Sequence, residues 1–413
     1  MSFIHADILV IGTGAAGIAA AVAGRRAGLK VVIADKALYP GGKATHAEVG
    51  TICGLYQIGR NIPSQYVVKG FAVEFSEALA ALSESKPVSN HSGLHFLPYQ
   101  TAAFEKLCMQ YLNETGIQYL PGCEVVEVEC SDRKINKLVF KNGGQNLFIQ
   151  TKSVIDCSGM GVVSKMTGLP MLNTDKYMGA ARVFRLGGIQ VNSETGLNLL
   201  WIKALKMAVN ENQLPDTFTQ IHLIPGSFKN GEASFKIALP MEVTLNETNL
   251  SALKEIGELM VGKLVDYLKS SQSAFKDISL VKIAEETGIR VEKRPIGKYI
   301  LTEMDILNAQ TFSDAVAKGA WPIEIWDYNG EVSLKFMREN KPYDIPAGAL
   351  QSNEFDNLYF AGRGISADDG AIASARVMGT CLQTGYAAGV LASHFSVNKS
   401  IESAILKIQK EQL

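Results

Sequence analysis

The 413-residue chain has almost no net charge, because 40 Lys and Arg residues stand against 41 Asp and Glu residues and leave a formal charge of −1. A protein that binds nucleic acid or an anionic membrane mainly through its charge carries a large basic excess. We therefore expect neither nucleic acid nor an anionic membrane surface as a partner.

The chain also lacks a run of the roughly 18 to 20 apolar residues that a transmembrane helix requires. Its first residues do not show the basic stretch and short apolar segment of a secretory signal. Hydrophobic residues nevertheless make up 47% of the sequence, enough to fill a large buried core. These features predict a globular, cytoplasmic protein with no membrane span.

Cysteine is scarce and scattered. The six cysteines include no C-x-x-C pair, and the sequence has no H-E-x-x-H motif. Closely spaced cysteines are typical of zinc sites and iron–sulfur clusters. We therefore predict no metal site and expect most of the thiols to be buried.

The most informative motif lies near the start of the sequence. Residues 7–11 form a short apolar run suited to a buried parallel strand, and residues 15–27 are alanine-rich, which favours a helix. The pattern G-x-G-x-x-G joins them through Gly12, Gly14 and Gly17. A buried strand, a glycine turn and a helix in this order are typical of a dinucleotide-binding unit.

Each glycine of the motif has a separate physical reason. Gly12 allows a turn where a side chain would clash, Gly14 admits a pyrophosphate, and Gly17 permits close packing of helix on strand. The first turn of the helix offers N–H groups and the positive end of its dipole to phosphate. A second apolar run at residues 30–34 ends at Asp35, where a ribose needs an acceptor. An ordinary glycine-rich turn would leave Asp35 unexplained, so we favour dinucleotide binding.

The periodicity then alternates between helical and extended segments. Helical spacing at residues 64–83 and 102–113 predicts two core helices. Three β-rich runs separated by turn residues predict an antiparallel meander at residues 124–129, 135–140 and 147–151. Residues 153–159 are predicted as a further buried strand that ends in glycine.

The later part of the chain returns to this pattern. From about residue 170 to 342 no phosphate-binding motif occurs, and strands mix with a long helix near residues 250–270. A last apolar strand at residues 357–360 precedes Gly362 and a small-residue helix at residues 371–393.

Several of these segments resemble FAD-dependent oxidoreductases of the glutathione-reductase-like class. Residues 357–372 (NLYFAGRGISADDGAI) are similar to the C-terminal signature of the family named FAD-dependent oxidoreductase. Residues 41–45 (GGKAT), the strand at 154–159 and the block 290–297 extend the resemblance over most of the chain.

The resemblance implies a doubly wound, Rossmann-like FAD-binding domain of the glutathione-reductase type, with the antiparallel meander inserted. This α/β domain would comprise residues 1–170 and 340–413. A mixed α/β substrate domain would occupy residues 171–339.

The resemblance also implies a path for FAD along the chain. The pyrophosphate would be held by Gly12, Gly14, Ala15, Ala16 and Gly17. Asp35 would accept from the adenosine ribose, Lys36 would flank it, and Val125 would touch adenine through its backbone. Ser158 and Gly159 would close over the adenosine side.

Toward the flavin ring, the resemblance implies a second set of contacts. The segment under the phosphates would be Gly41, Gly42, Lys43, Ala44 and Thr45. Gly362, Arg363 and the turn to Ala371 and Ile372 would place a helix N-terminus at the pyrimidine edge of the flavin. Backbone N–H groups and the helix dipole would there stabilise the negative charge of reduced flavin.

Two departures from the family pattern concern charged residues. The middle strand ends in residues 157–161 (CSGMG), which lack an acid that the family often has there. The block 290–294 (RVEKR) keeps only the outer arginines of the family's R-E-S-R-R.

The candidate catalytic residues each have a structural alternative. His46 is a candidate acid or base, or a structural histidine in a turn. Cys53 is a candidate reactive thiol, or a buried inert cysteine. Arg290 and Arg294 are candidates to clamp a carboxylate or support the reduced flavin, or they form salt bridges with nearby glutamates.

Aromatic residues and the missing second nucleotide motif bear on the substrates. Trp321, Trp326 and Tyr328 are candidates for an apolar substrate wall, or they are part of the core. No second G-x-G-x-x-G is present, so no dedicated nicotinamide domain is predicted. The electron partner stays open between oxygen, another acceptor and a transiently bound NAD(P)H.

We therefore expect an FAD-dependent oxidoreductase that transfers a hydride between flavin and a small organic substrate. A flavin monooxygenase or halogenase is the first alternative. A non-enzymatic flavoprotein that senses redox state is the second.

Overall fold

A computed structural model describes residues 3–113, 116–174 and 177–413. Its largest sheet has a parallel part whose spatial order is Ile117–Pro121, Val31–Asp35, Phe3–Ile11, Gln145–Asp156 and Leu358–Phe360. The chain therefore has the mixed α/β architecture that the sequence predicts. Within the described ranges, no helix is both long and apolar enough to cross a membrane.

The meander shares a strand with the parallel part of this sheet. Glu124–Ser131 pairs with Lys134–Asn142, which pairs antiparallel with residues 145–150 of Gln145–Asp156. The other half of Gln145–Asp156 pairs in parallel with Leu358–Phe360. The prediction of separate strands at residues 147–151 and 153–159 was therefore wrong, because one continuous strand serves both neighbours.

Two helices bring the ends of the chain together. Helix Ala15–Arg26 follows the first strand and packs against helix Met378–Ser396. The contact is close enough to require glycine, since a Cβ on Gly385 would lie 2.1 Å from the carbonyl oxygen of Ala16. The helix predicted at residues 371–393 is in fact two helices, Asp369–Ala375 and Met378–Ser396.

The remaining α-helices are Lys43–His46, Phe71–Ser83, Thr101–Leu112, Val162–Met166, Glu194–Asn210, Glu247–Ser271, Glu303–Leu307 and Ile401–Gln412. The small sheets consist of Thr51–Cys53 and Val88–Ser89 beside His95–Pro98, Met171–Leu172 with Arg294–Pro295, Ala315–Gly319 with Tyr343–Pro346, and Ile323–Trp326 with Val332–Lys335.

A second antiparallel sheet lies opposite the cofactor motif. Its strand order is His222–Leu223, Ala233–Ala238, Ala181–Gly187 and Ser279–Ile283. Buried apolar residues between Ala180 and Ile289 form a core of their own, in which Trp201 stacks on Phe235 with ring centroids 3.8 Å apart. Val291, Leu301 and Ile306, which follow in the chain, are buried in the main core instead. The domain limits 171 and 339 stay a prediction, and this division of the cores favours an end nearer residue 290.

Candidate functional site

The carboxyl ends of the parallel strands open into one large cleft. Phe3–Ile11, Val31–Asp35 and Gln145–Asp156 end at this edge, which is where open α/β sheets bind their ligands. The cleft has a volume of about 1330 Å³ and reaches the face of the second sheet. Drug-sized ligands occupy pockets of roughly 300–1,000 Å³, so this cleft has room for a dinucleotide and a smaller second ligand.

The glycine turn forms the floor of the cleft. Four of the five residues predicted at the pyrophosphate line it, namely Gly12, Gly14, Ala15 and Ala16. A Cβ on Gly14 would meet its nearest neighbour, the Cα of Gly42, at 4.0 Å. Gly17 does not line the cleft, and a Cβ there would lie 1.8 Å from the carbonyl oxygen of Gly12. The space above Gly14 is thus open to a ligand, whereas Gly17 serves the packing of helix on strand.

Asp35 is oriented by hydrogen bonds at the outer end of the cleft. Its Oδ2 accepts from the N–H and the hydroxyl of Thr13 at 2.6 and 2.7 Å, and its Oδ1 accepts from a backbone N–H two residues on at 2.9 Å. A carboxylate has about four acceptor positions, so Oδ1 keeps capacity for a ribose hydroxyl. Lys36 and Val125 line the same end, Lys36 at its exposed mouth.

Ser158 and Gly159 line the cleft directly after strand Gln145–Asp156. The Ser158 hydroxyl donates to Asp156 Oδ1 at 2.6 Å, and the N–H of Val163 donates to Oδ2 at 2.9 Å. Burial raises the pKa of Asp156, and these donors act in the opposite direction. Asp156 therefore holds the turn that presents Ser158 and Gly159.

The segment predicted under the phosphates forms a tight turn. Its cleft-lining residues are Gly41, Gly42, Lys43 and Ala44. Thr45 does not line the cleft, and its hydroxyl closes the turn by donating to the carbonyl of Pro40 at 3.0 Å. Lys43 Nζ lies 2.7 Å from Glu286 Oε2, and the two side chains form an ion pair.

The C-terminal signature reaches the cleft at two of its four predicted residues. Gly362 and Arg363 line the cleft. Ala371 and Ile372 are fully buried and do not line it, and the N–H of Ala371 donates to Asp368 Oδ1 at 2.7 Å. The geometry therefore does not support a flavin contact at these two residues.

Helix Met378–Ser396 also begins at the cleft. Val377, Met378 and Cys381 line the cleft at its start. The first turn of an α-helix has N–H groups without intrahelical partners and the positive end of the dipole. An open glycine turn, a ribose acceptor and this helix start thus lie along one cleft, and they fit FAD.

Both ring nitrogens of His46 are engaged by the protein. Nε2 lies 3.1 Å from the carbonyl oxygen of Tyr39, and Nδ1 lies 3.5 Å from Glu285 Oε2. The ring also packs on Tyr39, with centroids 4.1 Å apart. His46 borders the cleft, but these contacts favour the structural alternative over an acid or base.

Cys53 also borders the cleft. Burial and the nearby Glu324 raise the pKa of its thiol to about 12. Because the thiolate is the nucleophilic form, Cys53 is protonated and unreactive at neutral pH.

The two arginines of the block 290–294 point in different directions. Arg290 lines the cleft, and its guanidinium lies 4.8 Å from the ring centroid of Trp326. Arg294 is 1% exposed and does not line the cleft. It pairs with Asp369 and donates to the carbonyl of Ala367 at 2.7 Å. Arg290 thus belongs to the candidate site, and Arg294 joins two parts of the core.

Three further residues at the inner end were not predicted from the sequence: Lys236, Glu324 and Arg376. Lys236 Nζ lies 3.7 Å from the ring centroid of Trp326. Burial and the neighbouring Arg290 lower the pKa of Lys236 to about 7. One feature of the sequence could have identified Lys236: it is the lysine in strand Ala233–Ala238, whose other residues are apolar or small. Lysine is rarely found in a buried strand unless its charge is paired.

Two of the three aromatic candidates for a substrate wall lie at the cleft. Trp321 and Trp326 line the inner end of the cleft, whereas Tyr328 is 42% exposed and does not. The indole N–H of Trp321 donates to Glu324 Oε2 at 3.1 Å. This wall therefore combines apolar ring faces with oriented polar groups.

Solved structures share this fold at low sequence identity. A geranylgeranyl bacteriochlorophyll reductase-like protein from Thermoplasma acidophilum is 12% identical with a TM-score of 0.51, over 99% of this chain and 83% of that one. BexE, studied for oxidation during BE-7585A biosynthesis, is 12% identical with a TM-score of 0.53, over 98% and 66%. CabE, an aromatic hydroxylase from angucycline biosynthesis, is 10% identical with a TM-score of 0.52, over 98% and 65%. The chain spans about two thirds of the last two proteins, and such likenesses show the fold alone.

No curated protein matches the chain. The family described as FAD dependent oxidoreductase, however, matches residues 7–412, which include both ends of the cleft. The chain therefore belongs to the FAD-dependent oxidoreductases and is an enzyme that uses FAD.

Proposed function

We propose that this enzyme transfers two electrons, as a hydride, between FAD and a small organic substrate bound at the inner end of the cleft. The observation that carries the proposal is the continuation of the cleft beyond the glycine turn and the helix start at Met378. There it is walled by Trp321, Trp326 and Cys53 and reaches Lys236. This inner end, next to a flavin site, is where a second reactant would bind.

The chain's own residues support this reaction in three ways. FAD, when bound, supplies the two-electron chemistry. The first turn of helix Met378–Ser396 would stabilise negative charge at the flavin through its N–H groups and dipole. The residues that wall the inner end of the cleft would orient the substrate and exclude water. Lys236, which lines this end, would present a positive charge at Nζ below its pKa of about 7.

An anaerobic reduction experiment tests the proposal. Purified holoenzyme is mixed without oxygen with a panel of small organic acids, alcohols and amines, and loss of the flavin absorbance is followed. NADH and NADPH are run as separate arms, because a transiently bound nicotinamide would serve as the reductant. We expect at least one organic compound to bleach the flavin directly.

The test variant is Trp326→Ala, which enlarges the inner end of the cleft and leaves the glycine turn unchanged. We expect this variant to retain FAD and to be reduced more slowly by the active compound. If only NAD(P)H bleached the flavin, and oxygen were then consumed with a hydroxylated or halogenated product, the monooxygenase or halogenase alternative would replace this proposal.

A further inference from the structure

The inner end of the cleft carries an excess of positive charge. Lys236, Arg290 and Arg376 line it together. Within the described part of the chain, the carboxylate that acts on all three is that of Glu324. Below the pKa of Lys236, which is about 7, three cations and one carboxylate leave a nominal excess of two positive charges.

Glu324 is already committed to other contacts. Its Oε2 accepts from the indole of Trp321 at 3.1 Å and lies 3.6 Å from Arg376 Nη2. Arg376 also donates to the backbone carbonyl of Glu324 at 3.2 Å. The Nε of Arg376 is buried and has no hydrogen-bond partner among the described residues. One carboxylate thus serves Arg376, and among the described residues Lys236 and Arg290 have no ion pair of their own.

The ring of Trp326 provides only partial compensation for these two cations. Lys236 Nζ and the Arg290 guanidinium lie 3.7 and 4.8 Å from its centroid. A cation–π contact orients a cation but does not remove its charge. Arg290 also donates to the backbone carbonyl of Gly179, which is a neutral acceptor.

Buried charges of one sign are costly, and a bound group of the opposite sign relieves that cost. Burial and neighbouring arginines lower the pKa of both Lys236 and Arg290 in this way. An anion between these groups would reverse both shifts. A planar carboxylate matches the fork of an arginine and leaves the rest of a small molecule to pack on apolar lining residues such as Trp321.

We propose that the inner end of the cleft binds a carboxylate, held by Lys236 and Arg290, so that the substrate is an organic acid with an apolar or aromatic body. This proposal rests on the proposed function for the statement that the acid is a substrate. The anion site itself does not depend on turnover.

The test is a binding experiment on oxidised holoenzyme, read by perturbation of the flavin absorbance. Matched pairs of probes are titrated: benzoate against benzamide, and phenylacetate against phenylacetamide, with inorganic phosphate as a third arm. We expect each carboxylate to bind at least about tenfold more tightly than its amide, because a hydrogen bond to a charged group is worth that much when buried. Equal affinities for acid and amide, or tighter binding of phosphate than of either carboxylate, would overturn the proposal.

Variants assign the preference to the two cations. Lys236→Met and Arg290→Gln should each reduce the ratio of carboxylate to amide affinity by about tenfold to a hundredfold. Lys236→Arg keeps the charge and should retain most of the preference. Lys203→Met, on the exposed face of helix Glu194–Asn210 and outside the cleft, is the matched control for loss of a lysine and should leave the ratio unchanged. Retention of FAD verifies that each variant is folded.

The two proposals fail in distinguishable ways. If acids bind preferentially but no organic compound ever reduces the flavin, the redox proposal fails and the anion site stands. If neutral compounds reduce the flavin and the acids show no preference, the anion site fails and the redox proposal stands. A variant that shifts the flavin spectrum without changing the ratio would assign the cations to the cofactor and overturn the proposal.

Discussion

Gly14 and Gly17 belong to one motif, but their replacement by alanine should have opposite consequences. At Gly14 the backbone has φ −68° and ψ −180°, which any residue adopts, and a new Cβ would lie 4.0 Å from the nearest protein atom. Alanine is a poorer N-cap than glycine but restricts the unfolded chain, and these two effects of up to about 1 kcal/mol oppose each other. We therefore expect Gly14→Ala to change the free energy of unfolding of the apoprotein by less than about 1 kcal/mol.

The same Cβ would project into the open space above the turn. If that space holds the pyrophosphate, the overlap costs about 1–3 kcal/mol, or roughly a 5- to 150-fold loss of FAD affinity. Gly17→Ala places its Cβ 1.8 Å from a carbonyl oxygen, so helix and strand must separate, at a cost of about 3 kcal/mol or more in the apoprotein.

The assay combines urea unfolding of the apoproteins with FAD retention measured by absorbance after ultrafiltration. Wild-type retention by Gly14→Ala would refute the assignment of the open space to the pyrophosphate. An apoprotein of Gly14→Ala as unstable as that of Gly17→Ala would refute the distinction between the two glycines.

Four further substitutions or titrations follow from the contacts at the site. Arg294→Met should lower the free energy of unfolding by about 3–5 kcal/mol, measured in urea, because buried acceptors and Asp369 lose a charged donor. A stable variant that has lost turnover would instead identify Arg294 as a catalytic residue. His46→Asn should leave the pH–rate profile unchanged, and loss of one limb of that profile would identify His46 as the acid or base. Cys53→Ser should keep wild-type turnover, and the wild-type thiol should resist iodoacetamide at pH 7, because its pKa is about 12. Lys236 is charged below its pKa of about 7, so benzoate affinity should be full below that pH and fall by up to about tenfold per unit above it; a flat profile would exclude Lys236 from the anion site. The titratable and charged groups that face Lys236 in this titration are Arg290, Arg376, Glu324, Cys53 and His222. Burial and Lys236 lower the pKa of His222.

The cofactor half of the cleft could be predicted because its determinants are local in sequence. The glycine turn and Asp35 lie within a short strand–helix–strand unit, and each residue type there has one plain physical reason. Gly17 was correctly placed at the contact of helix and strand, although it does not line the cleft. Thr45 closes a turn instead of facing the cleft, which a motif cannot distinguish from a ligand contact.

The break between the two C-terminal helices was not predictable from propensity. Residues 371–393 are mostly small and contain no proline, so the pattern gives no clear stop signal near residue 376. In the structure Arg376 ends the first helix and turns its guanidinium to Glu324, while Val377 adopts an extended conformation before the second. A tertiary contact therefore sets the break, and it moves the helix start to the cleft.

The different positions of the two arginines of the block 290–294 were also not predictable from the sequence. The sequence treats them as equivalent outer positions of one pattern, yet only Arg290 lines the cleft and Arg294 is buried. Arg290 reaches the cleft from a backbone that also contacts the second sheet, whereas Arg294 lies in a short strand paired with Met171–Leu172. The difference depends on which neighbours each side chain meets, and no spacing rule encodes it.

The inner end of the cleft is assembled from segments far apart in the chain, namely those of Cys53, Lys236, Arg290, Glu324 and Arg376. Lys236 comes from the second sheet, whose core is separate from that of the cofactor-binding part. Substitutions on that sheet can therefore alter the charge that faces a substrate while the glycine turn and the helix start keep their geometry.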